Sequence, residues 1–100
     1  SGGYNVYPKE IEILIDELDG VKESAVIGLP HSDFGEAVAA VVVLEPGSSW
    51  DSERLVEELR DSLAGFKRPK ASFFVDELPR NTMGKVQKNL LRERFGDTFS

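Results

Sequence analysis

Two short polar loops hold the residue types that could do chemistry. In Pro79-Arg80-Asn81-Thr82-Met83-Gly84-Lys85 a glycine stands directly before a lysine. Glycine removes the side chain that would block approach, so backbone amides and an ammonium can converge on one anion. A lysine on its flexible stem is a good point charge for developing negative charge. The segment is not a P-loop, because the spacer and second glycine are missing and no Ser or Thr follows the lysine. On these residues alone a solvated turn is the alternative. Gly2-Gly3-Tyr4 has the same status. The glycine pair permits a ligand chain to lie against backbone, and Tyr4 could stack on a ring or line a channel. A hairpin turn with one half-buried tyrosine is the alternative there.

Other chemistries are excluded or weakly signalled. The chain has no cysteine, which removes disulfides, thiolate metal sites and cysteine catalysis together. Its one histidine, His31, excludes a multi-histidine metal site, and no metal-ligating residues are assigned. His31 lies in a turn between Pro30 and Ser32 and reads as structural or solvated. Asp33, Gly35 and Glu36 read as turn chemistry with a strand cap. Trp50 and the Phe73-Phe74 pair read as packing rather than a base-stacking platform.

The net charge of −6 argues against general nucleic-acid binding, but the average conceals a segregation. Residues 1–65 carry four basic side chains against fourteen acidic, a net of −10. Residues 66–100 carry eight basic against four acidic, a net of +4. Such segregation can focus a positive field on one face, suited to a compact anion such as a nucleotide or phosphate. A solvated basic helix face is the alternative.

The elements that must position these loops follow from periodicity. One hundred residues, 40% hydrophobic and 30% charged, fit one soluble domain or part of one. No apolar run approaches the ~20 residues of a membrane helix, and the opening SGGYNVYPKE has no signal-peptide pattern. The chain opens without a methionine, as an excised piece of a longer protein would. Tyr4 to Val6 alternate as in a short strand, giving an N-terminal hairpin element. Pro8 suits a first helical turn, Glu10 and Glu12 suit its dipole, and Ile11, Leu14, Ile15 and Leu18 form one stripe over 8–18, stopped at Gly20. Strands are expected at 21–29 and 38–44, the second an unbroken apolar run covered on both faces. Ser49 or Asp51 caps a second helix with Leu55, Val56, Leu59 and Leu63 inward and Gly65 at its stop. The basic connector 66–70 leads to a third strand at 72–75. A last helix spans Lys88 to Phe95 with Leu90 and Leu91 inward. The fold class is therefore α+β: a small three-stranded sheet with helices packed on it.

Three stretches together carry a resemblance over residues 1 to about 95: SGGYNVYPKEIE, ESAVIGLPHSDFGEAVAAVVV and FKRPKASFFVDELPRNTMGKVQKNLLR. They resemble the C-terminal lid domain of the adenylate-forming acyl-CoA synthetases, the superfamily that includes peptide-synthetase adenylation domains and firefly luciferase. NVYPKEIE and LPRNTMGKVQK look most like the malonyl-CoA synthetase branch, with medium-chain and coumarate-type ligases close by. The resemblance implies a cytoplasmic, AMP-forming acid–CoA ligase, with ATP, Mg2+ and coenzyme A as its cofactor and substrates. It implies that residues 1–100 are the lid, and that an N-terminal ATP-binding domain and a hinge precede them. Such a lid would be inactive alone, and that N-terminal domain and a small carboxylic acid are its partners. By resemblance Lys85 is the catalytic adenylation lysine and a target of reversible acylation by an acetyltransferase and deacetylase. Gly2, Gly3 and Tyr4 fall on the loop lining the pantetheine tunnel, and Lys67, Arg68 and Arg80 on contacts to coenzyme A phosphates. Asn5 departs from the Lys or Arg that many members carry there. A different class of reading is an independent phosphate-binding or regulatory module subject to lysine acylation.

Overall fold

The computed structural model describes residues 6–33 and 35–99, with the backbone alone at Phe66. Helix α1 (Pro8–Asp16) leads into strands β1 (Val21–His31) and β2 (Gly35–Leu44), then helix α2 (Ser52–Leu59). A 3-10 turn (Gly65–Lys67), strand β3 (Ala71–Phe74) and helix α3 (Lys88–Phe95) complete it. The α+β class and the three-stranded sheet stand as expected. The N-terminal hairpin falls largely outside the described residues, and Val6 and Tyr7 carry no strand.

The sheet order is β1-β2-β3. β1 and β2 are antiparallel, from Val21 opposite Leu44 to His31 opposite Gly35, with a register shift between Val21 and Glu23. β2 and β3 are parallel, Ala39 opposite Ala71 through Val42 opposite Phe74. A parallel pair needs a crossover, and α2 supplies it. The central position of β2 explains its unbroken apolar run. Val38, Ala40 and Val42 face one core with Ile11, Ile15, Leu55 and Leu59. Ala39, Val41 and Val43 face the other with Ile27, Leu29, Leu78 and Leu91. Residues two apart share a face, so one strand serves two cores.

The helices show where sequence pattern and structure part. Asp51 caps α2, its Oδ1 accepting the Arg54 N–H at 2.8 Å, so Asp51 rather than Ser49 takes that position. The helix ends at Leu59, ahead of Gly65, although Leu63 still buries. Arg68 accounts for that end: its guanidinium donates to the carbonyls of Leu63 at 3.0 Å and Arg60 at 2.7 Å. In α3, Leu91 is 2% exposed but Leu90 is 41% exposed, a correction to the expectation that both face inward. Neighbours on a helix sit about 100° apart, and only one fits a narrow stripe. The rings of Phe73 and Phe95 stack at 4.0 Å and dock α3 on the sheet. His31 ends β1 rather than lying in a turn, and bridges to Phe99.

Candidate functional site

Pro79 to Gln87 form a tight hairpin that displays Lys85. The Gln87 N–H donates to the Pro79 carbonyl at 2.8 Å, Arg80 bridges Val86, and the Asn81 N–H donates to the Lys85 carbonyl at 2.9 Å. At the tip the Gly84 N–H donates to the Asn81 carbonyl at 3.0 Å. The Asn81 Oδ1 accepts from the N–H groups of Met83 at 2.9 Å and Lys85 at 3.0 Å. One short amide side chain thus satisfies two loop amides, which is why Asn suits this position. Gly84 has φ +81, a region costly for any residue with a Cβ. Below the tip, Leu78 is buried in the core that Val86 also packs against. The expectation of a plain polar loop therefore understates its order.

Three cations of this segment are treated differently. The Arg80 Nη1 donates to the Gly84 carbonyl at 2.7 Å, and its Nη2 to the Glu23 carboxylate on β1. Lys88 lies 2.7 Å from Glu12 Oε2, which also accepts the Val26 N–H at 2.8 Å. Lys85 is exposed, and among the described residues its ammonium has no partner. The hairpin offers one uncommitted positive charge between two neutralised ones.

The other predicted residues lie elsewhere. Lys67 reaches Glu10 at 3.2 Å, and Arg68 donates to the carbonyls past α2. Both sit where the chain turns into β3, apart from the contacts that hold the Lys85 hairpin. Gly2, Gly3 and Tyr4 lie outside the described residues, as does Asn5. Glu12 is the residue that sequence reasoning missed, since it read only as a dipole-compensating carboxylate. Its signal was there: it neighbours Ile11 and stands three residues before Ile15, on the buried face, where a carboxylate needs a partner.

Among the described residues no group of three or more His, Asp or Glu could hold a metal ion. No helix formed by these residues is long and apolar enough to cross a membrane.

Comparison with known proteins agrees with this fold. Residues 10–85 match the family described as the AMP-binding enzyme C-terminal domain. A Rhodococcus jostii 3-[(3aS,4S,7aS)-7a-methyl-1,5-dioxo-octahydro-1H-inden-4-yl]propanoyl:CoA ligase is 52% identical over 93% of this chain and 18% of its own length. The long-chain-fatty-acid–CoA ligase FadD13 of Mycobacterium tuberculosis is 45% identical, over 98% of this chain and 19% of its own length. The crystal structure of apo MatB from Rhodopseudomonas palustris superposes with a TM-score of 0.96 at 60% identity, covering 99% of this chain and 20% of that one. The chain thus spans about a fifth of the length of the relatives it matches.

Proposed function

The chain belongs to the family of AMP-binding enzyme C-terminal domains, and from that membership we propose that it is the lid of an ATP-dependent acid–CoA ligase. In the first step a carboxylate oxygen attacks the α-phosphorus of ATP and pyrophosphate leaves, giving the acyl-adenylate. In the second the coenzyme A thiol, losing its proton, attacks the acyl carbon and AMP departs. Lys85 serves the first step. Carboxylate, α-phosphate and departing pyrophosphate crowd negative charge together, and a placed cation stabilises that more than it stabilises bound substrate.

The single observation that carries this reading is the isolation of the Lys85 charge. Arg80 and Lys88 are bonded to carboxylates, while Lys85 stands exposed on an ordered turn. Gly2, Gly3 and Tyr4 are proposed to line the pantetheine path, and Lys67 and Arg68 to meet coenzyme A phosphates. Binding of ATP, Mg2+ and the acid falls to an N-terminal partner domain. Malonate is the proposed acid. It rests on the resemblance of NVYPKEIE and LPRNTMGKVQK to the malonyl-CoA synthetase branch. The exposure of Lys85 also supports a second reading, in which acylation by an acetyltransferase removes its charge and a deacetylase restores it.

The test uses the full reading frame that contains this chain. Lys85→Ala should lower acyl-adenylate formation by on the order of 10²–10³. Thioester formation from supplied acyl-adenylate and coenzyme A should persist. Near-normal adenylation in the variant, or equal loss of both steps in a folded protein, overturns the assignment.

A further inference from the structure

Arg80 shares the hairpin with Lys85 but is spent on different partners. The resemblance assigns it to a coenzyme A phosphate, yet two of its nitrogens are engaged within the chain. Nη1 donates to the Gly84 carbonyl at 2.7 Å and Nη2 to Glu23. A guanidinium carries its donors in a rigid planar fork, so fixing one nitrogen fixes the others. The Gly84 carbonyl belongs to the peptide whose nitrogen is that of Lys85. Holding this carbonyl therefore holds the plane from which the Lys85 side chain departs. Gly84, at φ +81, is the point where the chain is free to swing, and the Arg80 contact closes on that point. Glu23 ties the fork to β1 beside the register shift between Val21 and Glu23.

We propose that Arg80 and Glu23 are a positioning pair for Lys85. Glu23 orients the guanidinium, and the guanidinium fixes the Gly84–Lys85 peptide so that the ammonium is presented in one place. The proposal deepens the reading of Lys85 as the adenylation lysine and rests on it. Glu23 makes the pair distinguishable from a ligand contact. A carboxylate would repel coenzyme A phosphates, so its removal can harm adenylation only through the geometry it supports.

The experiment compares Arg80→Gln, Arg80→Lys and Glu23→Gln in the full reading frame. Adenylation is followed by pyrophosphate exchange, and thioester formation is started from supplied acyl-adenylate at varied coenzyme A. Misplacing a catalytic group by about 1 Å costs up to about a hundredfold. Arg80→Gln and Glu23→Gln should each lower the adenylation kcat by about ten- to a hundredfold, with the coenzyme A KM within about twofold of wild type. Arg80→Lys has one ammonium for two partners and should fall between. In the same proteins, hydrogen exchange at the Gly84 and Lys85 amides should quicken at least tenfold, while the β1–β2 amides keep their protection. An Arg80→Gln protein with raised coenzyme A KM and intact adenylation, beside a silent Glu23→Gln, makes Arg80 a phosphate contact and overturns the proposal. Unchanged exchange at both hairpin amides overturns it whatever the activity. Failure of the ligase reading shows separately, as normal adenylation in Lys85→Ala, and the exchange measurement still decides the pairing.

Discussion

The carboxylate of Glu12, on the first helix, lies 2.7 Å from the ammonium of Lys88 at the start of the last. The same oxygen accepts the Val26 N–H of β1 at 2.8 Å. One side chain thereby joins three elements distant in sequence: α1, which follows the Gly2-Gly3-Tyr4 loop, the central part of β1, and α3, which follows the Lys85 hairpin. The helix that follows the Lys85 hairpin is tied to α1 and β1 through this node.

The two halves of the pair should not cost the same to remove. Glu12 is 12% exposed at its side chain and Lys88 29%. Losing Glu12 leaves a mostly covered cation and an orphaned Val26 amide, whereas losing Lys88 leaves a carboxylate that keeps its amide. Glu12→Ala should cost about 2–4 kcal/mol and Lys88→Met about 1 kcal/mol, read from urea unfolding of the chain. Equal costs would mean that the Val26 bond contributes nothing.

At Gly84 the penalty is conformational and not steric. A Cβ there would meet nothing within 4 Å, but φ is +81. Gly84→Ala should cost about 1–2 kcal/mol, and Gly84→Asn less, because Asn tolerates the left-handed region. Thermal unfolding of both variants checks the order. If alanine is as stable as glycine, the turn is not held in this form.

On α3 the adjacent leucines should separate cleanly. Leu91→Ala empties a buried site and should cost about 2–5 kcal/mol, while Leu90→Ala, at 41% exposure, should stay within about 0.5 kcal/mol. Comparable losses in chemical denaturation would contradict the packing described.

What was legible in the sequence had a period or a cap. The Ile11–Ile15 stripe, the run from Val38 to Leu44 and the Asp51 cap each state a local rule, and the structure obeys it. What escaped depended on partners distant in the chain. Glu12 finds Lys88 across the fold, Arg80 finds Glu23 on β1, and Arg68 ends α2 from outside it. The Gly-Lys pair was visible as a candidate, but the order around it comes from the Asn81 side chain and the Arg80 fork. Neither is a pattern of spacing. Leu90 shows the opposite error, where an apolar residue type was read as burial without regard to its angle on the helix.

The last expectation concerns which lysine a reagent finds first. Attack by Nζ on an acyl donor needs the nitrogen unobstructed and its lone pair free to approach the carbonyl. Lys85 projects from an exposed turn and has no partner among the described residues, so no contact must break before it reacts. Lys88 stands one turn further along, held at 2.7 Å against Glu12 and mostly covered, and must leave its carboxylate first. Trace labelling with acetic anhydride, read by peptide mass spectrometry, should therefore acetylate Lys85 several-fold faster than Lys88. In Glu12→Gln the neutral amide no longer holds the ammonium by charge, so the Lys88 rate should rise towards that of Lys85, which itself should not change. Equal labelling of both lysines in the unaltered protein would mean that the Glu12–Lys88 contact does not persist in solution. A rise at Lys85 alone would place the effect of Glu12 in the hairpin, not in the pair.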